Sequence, residues 1–138
     1  MASYGIREAA QLLHVSDDTV RRWVDSGRLA TTRSGRGPMK IDGAELARVA
    51  QSLAAEARPL STASASARNR FLGIVTGITR DKVMAQVEVQ CGPYRVVSLL
   101  SREAADELGL EPGVQVVASI KATNVTVERP LDHQADPA

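Results

Sequence analysis

Ser66-Ala67-Arg68-Asn69 stands just before a run of alternating apolar residues, Phe71 to Ile78, and is echoed far downstream by Lys121-Ala122-Thr123, which follows a similar run, Val114 to Ile120. Alternation of period two is the mark of a strand with one buried face, so both polar segments fall at strand ends. Further β-branched runs occur at Val83 to Val89, Tyr94 to Leu100 and Val125 to Val127, separated by turn pairs such as Gly92-Pro93 and Pro112-Gly113. One helical interruption, Ser101 to Leu108, carries Ala104, Ala105 and Leu108 at helical spacing and ends at Gly109. Five strands with a short helix between the third and fourth predict an OB-like barrel.

Upstream the rhythm is helical. Ala9, Leu12 and Leu13 mark a first helix that stops at His14-Val15, and Ser16 stands where an N-cap belongs for a second helix, Asp17 to Ser26. Val20, Trp23 and Val24 form its inward stripe, and Gly27 closes it. Leu29 to Ile41, broken by Gly35-Arg36-Gly37-Pro38, predicts a short hairpin or wing. Asp42 is placed to cap a third helix, Gly43 to about Ala57, with Leu46, Val49, Ala50 and Leu53 on one face. Arg58-Pro-Leu-Ser-Thr-Ala-Ser-Ala65 then breaks the periodic pattern and reads as a linker.

Two resemblances follow. Ile6-Arg7-Glu8-Ala9-Ala10, Leu13-His14-Val15-Ser16, Thr19-Val20-Arg21-Arg22-Trp23 and Gly27-Arg28-Leu29 resemble the MerR and excisionase class of winged helix-turn-helix domains. Residues 66 to 128 are similar to Mop domains of the TOBE type, whose members bind molybdate and tungstate at contacts between subunits. The resemblance implies an oxyanion-binding role for Ser66, Ala67, Arg68 and Asn69, for Ser98 and Ser101 around the turn before the helix, and for Lys121, Ala122 and Thr123. Chemistry points the same way. An unprotonated oxyanion accepts on every oxygen, so its site needs hydroxyls, backbone N–H groups and a cation, and these segments are made of them.

The predicted fold class is therefore α+β with two domains: a mainly helical winged helix-turn-helix over 1–57, a linker over 58–65, an OB-like β-barrel with one short helix over 66–129, and a disordered tail over 130–138. Seventeen basic and sixteen acidic side chains leave the whole nearly neutral, so any nucleic-acid contact rests on local charge. From Arg21 to Lys40 six basic residues face one acid, Asp25. Asp18, Thr19, Arg21 and Arg22 on the second helix are the candidates for reading bases, and Arg28, Arg33, Arg36 and Lys40 complete the candidate double-stranded DNA contacts.

A single cysteine, Cys91, excludes an internal disulfide or a multi-cysteine metal site, and the start of the chain lacks the apolar core of a signal peptide, which predicts a cytoplasmic protein without a membrane partner. The residues assemble no catalytic triad, glycine-rich phosphate loop or paired acid and base, so an enzyme is not expected. No cofactor is expected beyond the molybdate or tungstate ligand. The leading expectation is an oxyanion-responsive transcription regulator acting as a homo-oligomer, dimer to hexamer. The alternative is a molbindin-type storage or buffering protein whose first half serves assembly.

Overall fold

Gly43, which opens the third helix, donates its N–H to the Ala2 carbonyl at 2.8 Å, a contact between the chain's start and its middle that the periodic pattern does not announce. The computed structural model describes residues 2–33, 37–56 and 66–131. The expected linker, the expected wing tip with Arg36, and the last seven residues of the expected tail lie outside that set. The chain divides into two compact units, Met1–Pro59 and Leu60–Ala138, each described on its own.

In the first unit, strand β1 (Ser3–Tyr4) is followed by helices α1 (Ile6–Leu13) and α2 (Asp17–Asp25), strand β2 (Ile41–Asp42) and helix α3 (Gly43–Glu56). β1 pairs antiparallel with β2, Ser3 opposite Asp42 and Tyr4 opposite Ile41. Asp42, which directly precedes α3, is also a ladder residue, and the Gly43 N–H goes to the Ala2 carbonyl. α1 begins two residues before Glu8, which reaches back to accept the Gly5 N–H at 3.0 Å. Ser16 caps α2 as its position requires, accepting the Thr19 N–H at 3.1 Å. Between these helices His14 takes a left-handed conformation, φ 57°, and Gly27 does so after α2, φ 84°. Ala9, Ala10, Val20, Leu29, Ile41, Leu46 and Val49 form the buried core, with Trp23, Val24 and Leu53 packed against it. The wing is held at its base by Thr32 and Lys40, whose N–H and C=O groups exchange bonds at 2.8 Å.

The second unit holds strands β3 (Asn69–Arg80), β4 (Met84–Cys91) and β5 (Tyr94–Ser101), helix α4 (Arg102–Glu107), strand β6 (Gln115–Ile120) and a 3-10 turn at Ala122–Asn124. The antiparallel sheet has the order β5-β4-β3-β6. Its two edge strands, β5 and β6, line one cleft of about 610 Å3, so the sheet is curled into an OB-like half-barrel. Val75, Ala85, Val87, Val89, Cys91, Ala105 and Leu110 fill its core.

One expected strand is absent. Val125–Val127 pairs with nothing in the sheet, and Val127 is 87% exposed. β-branched composition favours an extended chain but does not supply a partner edge, and among the described residues this segment has none. A tighter feature is the crossing at Gly73, where a side chain would collide with Cys91, Gln90 and Val89 on β4. Past that point Asn69–Gly73 is laddered to β6 alone, because the β4–β5 hairpin turns at Cys91.

Candidate functional sites

β3 and β6 pair from Asn69 opposite Ile120 through Ile74 opposite Gln115. This register sets Ser66-Ala67-Arg68-Asn69 beside Lys121-Ala122-Thr123, although fifty-one positions separate Asn69 from Ile120 in sequence. The side chain of Asn69 fastens the junction, its Nδ2 donating to the Ile120 carbonyl at 3.1 Å. Lys121 opens the 3-10 turn, which consumes the N–H groups of Asn124 and Val125. Those of Ala122 and Thr123, at its start, make no bond within the turn. Ser66, Arg68, Lys121, Ala122 and Thr123 are exposed. Arg70, which no sequence pattern singles out, is paired in register with Ser119, and its Nε is buried with no hydrogen-bond partner among the described residues. An orphaned donor of that kind is the signal to look for, and only coordinates give it.

Ser98 and Ser101 are placed otherwise. Ser98 lines the cleft between β5 and β6, which Ile120 also lines. Ser101 caps α4, accepting the Ala104 N–H at 3.1 Å, and its hydroxyl hydrogen stays available to donate. Among the described residues neither serine is hydrogen-bonded to the two donor segments. Arg80 braces the corner that carries Ser101, reaching the Leu110 carbonyl at 2.9 Å and Asp106 at 3.1 Å. Arg102 adds a bond to the Asp81 carbonyl at 3.2 Å.

In the first unit, Arg21 and Arg33 line a pocket of about 300 Å3 together with Ile6, Val24, Asp25 and Met39. A guanidinium such as that of Arg33 can take phosphate oxygens in forked hydrogen bonds. Asp18 and Arg21 are exposed and 3.7 Å apart. Thr19 is partly committed: its hydroxyl lies 2.9 Å from Ser16 Oγ and takes a long bond, 3.4 Å, from Arg22. Lys40 is exposed beside its bridge to Thr32. Arg28 is turned inward, its guanidinium 5.1 Å from the Trp23 ring centre and 2.9 Å from Glu56.

α3 grips the base of the wing. Glu45 Oε2 accepts the Ala30 N–H at 2.7 Å, and Arg48 donates to Glu45 and, at 2.9 Å, to the Arg28 carbonyl. Arg48 first, and the Ala30 N–H second, hold the Glu45 carboxyl down to about 2 from an ordinary 4.5. An acid whose pKa is lowered by folding contributes stability that is complete above its unfolded value and fades as pH falls toward the folded one. Urea midpoints should therefore fall between pH 5 and pH 3, roughly the span of that shift, and Glu45→Gln should flatten this decline. An unchanged pH profile would remove Glu45 from the acid response.

The comparisons with known proteins agree with both halves. Residues 65–127 match the TOBE domain family and residues 3–54 a helix-turn-helix domain family. Molybdenum-pterin-binding protein 1 of Clostridium pasteurianum is 34% identical over 65 residues, covering 46% of this chain and 96% of the relative. The chain belongs to the TOBE family. Among solved structures, its TOBE unit is similar to a molybdate-binding protein from Sporomusa ovata, 28% identical over 49% of this chain and 100% of that one, TM-score 0.47. It is also similar to the cytoplasmic molybdate-binding protein ModG, 38% identical over 46% of each chain, TM-score 0.45. No helix among the described residues is long and apolar enough to cross a membrane.

Proposed function

We propose that this TOBE protein is a molybdate- or tungstate-responsive transcription regulator, with the oxyanion bound by the second unit and duplex DNA by the first. The activity assigned is binding, not catalysis. The observation that carries the first part is the β3–β6 junction, where Asn69 Nδ2 on the Ile120 carbonyl draws two donor-only segments together. The Clostridium relative, named for binding molybdenum-pterin, supports it. Ser98 and Ser101 make no hydrogen bond to that junction, so we assign the complete site to a contact between copies of the chain.

Binding at such a contact ties ligand to assembly. Molybdate should raise the thermal midpoint progressively with concentration and shift sedimentation toward the larger species, as mass action requires of a ligand held only by the assembled state. A saturated monomer would defeat the subunit-contact assignment.

For DNA, the support is the helix-turn-helix match together with the Arg21–Arg33 pocket between α2 and the wing. Arg33→Ala should weaken binding to every duplex and lower the salt slope by about one unit, as losing one phosphate contact does. Arg21→Ala should instead relax preference at particular base pairs. A second reading is storage, favoured by the Clostridium relative, 96% of whose length is matched by the TOBE portion of this chain. Absence of salt-sensitive duplex binding by the full chain, with molybdate binding intact, would decide for storage.

A further inference from the structure

Glu56 is the last described residue of α3. Arg28 reaches Glu56 from elsewhere in the unit at 2.9 Å, and its guanidinium carbon lies over the Trp23 ring, 5.1 Å from its centre, in the last half of α2. Its carbonyl is held at 2.9 Å by Arg48 of α3. One side chain thus joins α3 to the helix assigned to DNA, and that side chain is 36% exposed.

We propose that Arg28 is a positioning residue for α2: it fixes the helix against α3 through Trp23 and Glu56 and makes no contact with DNA phosphate. The inference rests on the DNA-binding reading for its functional consequence, but the clamp itself is a property of the free protein. Charge arithmetic separates the two roles. If Arg28 touched phosphate, Arg28→Lys would keep most of the affinity, because a lysine ammonium also neutralises a phosphate. A clamp needs the planar fork to stack on an indole and bond a carboxylate together, which lysine does poorly. Glu56 gives the sharper contrast. Removing an acid from a DNA-binding unit favours the polyanion by simple electrostatics, whereas loss of the clamp weakens binding.

The experiment uses the full-length chain and a labelled 30-base-pair duplex pool of mixed sequence, with anisotropy read across a salt series. Arg28→Ala, Arg28→Lys and Glu56→Gln should each lower affinity about three- to tenfold, within what a cation–π contact and an ion pair contribute, and leave the salt slope unchanged. In the same variants without DNA, emission of Trp23, the chain's one tryptophan, should shift, and amide exchange in the last turn of α2 should quicken. A slope lowered by one unit in Arg28→Ala, rescue by Arg28→Lys, or tighter binding by Glu56→Gln would each overturn the proposal. Should the unaltered chain fail to bind the duplex, the regulator reading falls. The clamp is then judged by emission and exchange alone, and if these are unchanged in Arg28→Ala and Glu56→Gln it is refuted too.

Discussion

Replacing Lys121 by alanine should weaken molybdate binding about ten- to hundredfold, because a charged donor to an anion contributes roughly 1.5–3 kcal/mol and each 1.4 kcal/mol is a factor of ten. Lys121 sits where β6 ends and the 3-10 turn begins, beside the Asn69–Ile120 bond, and it is the cation of its segment. Arg129→Ala is the matched control. It removes one positive charge from the same exposed stretch, eight residues on in the sequence, and outside both donor segments. Titration calorimetry on the two variants compares them directly. Equal affinities would show that Lys121 acts only through long-range charge and would exclude it from the site.

Gly73→Ala is the substitution expected to cost the most stability. An added Cβ would lie 2.6 Å from Cys91 Sγ and 2.7 Å from both the Gln90 carbonyl and Val89 Cγ1. The carbonyl cannot swing aside without breaking the ladder, and Cys91 and Val89 are themselves buried. Overpacking of this kind costs about 1–3 kcal/mol or more, and for a unit this small each kcal/mol lowers the midpoint by roughly 4–8 °C. Gly77→Ala on the same strand meets nothing nearer than Glu88 Oε2 at 3.5 Å and should be almost silent. Calorimetric midpoints for the two variants make the test, and similar values would mean that the β3–β4 crossing yields more easily than its geometry allows.

Local signals carried much of this fold. Period-two alternation marked β3 and β6 and β-branched composition marked β4 and β5, while Ser16 and Ser101 stand at the starts of α2 and α4, where a hydroxyl before an amphipathic run has a mechanism attached. What escaped depended on partners distant in sequence. The two-residue β1 has no periodicity to read, and it exists because Ile41–Asp42 comes back to meet it. Val125–Val127 has strand composition yet lies outside the sheet, since composition cannot provide a neighbouring edge. In the candidate sites, segment identity was legible at Ser66–Asn69 and Lys121–Thr123, and register brought the two together. Arg28 reads in the sequence as one more cation in a basic window, and only the fold shows its guanidinium beside Trp23 and Glu56. Charge can be counted along a chain, but the commitments of a side chain cannot.

The close crossing of β3 over β4 also gives this molecule a clock. Its one thiol, Cys91, is 7% exposed, lies under Gly73 and points toward the Phe71 carbonyl at 3.9 Å. A thiol so covered is expected to be alkylated chiefly when β3 lifts from the hairpin, so the rate of carboxamidomethylation should follow how often that happens. Followed by intact mass, it would report the breathing of the β-rich unit with no label introduced and no residue changed.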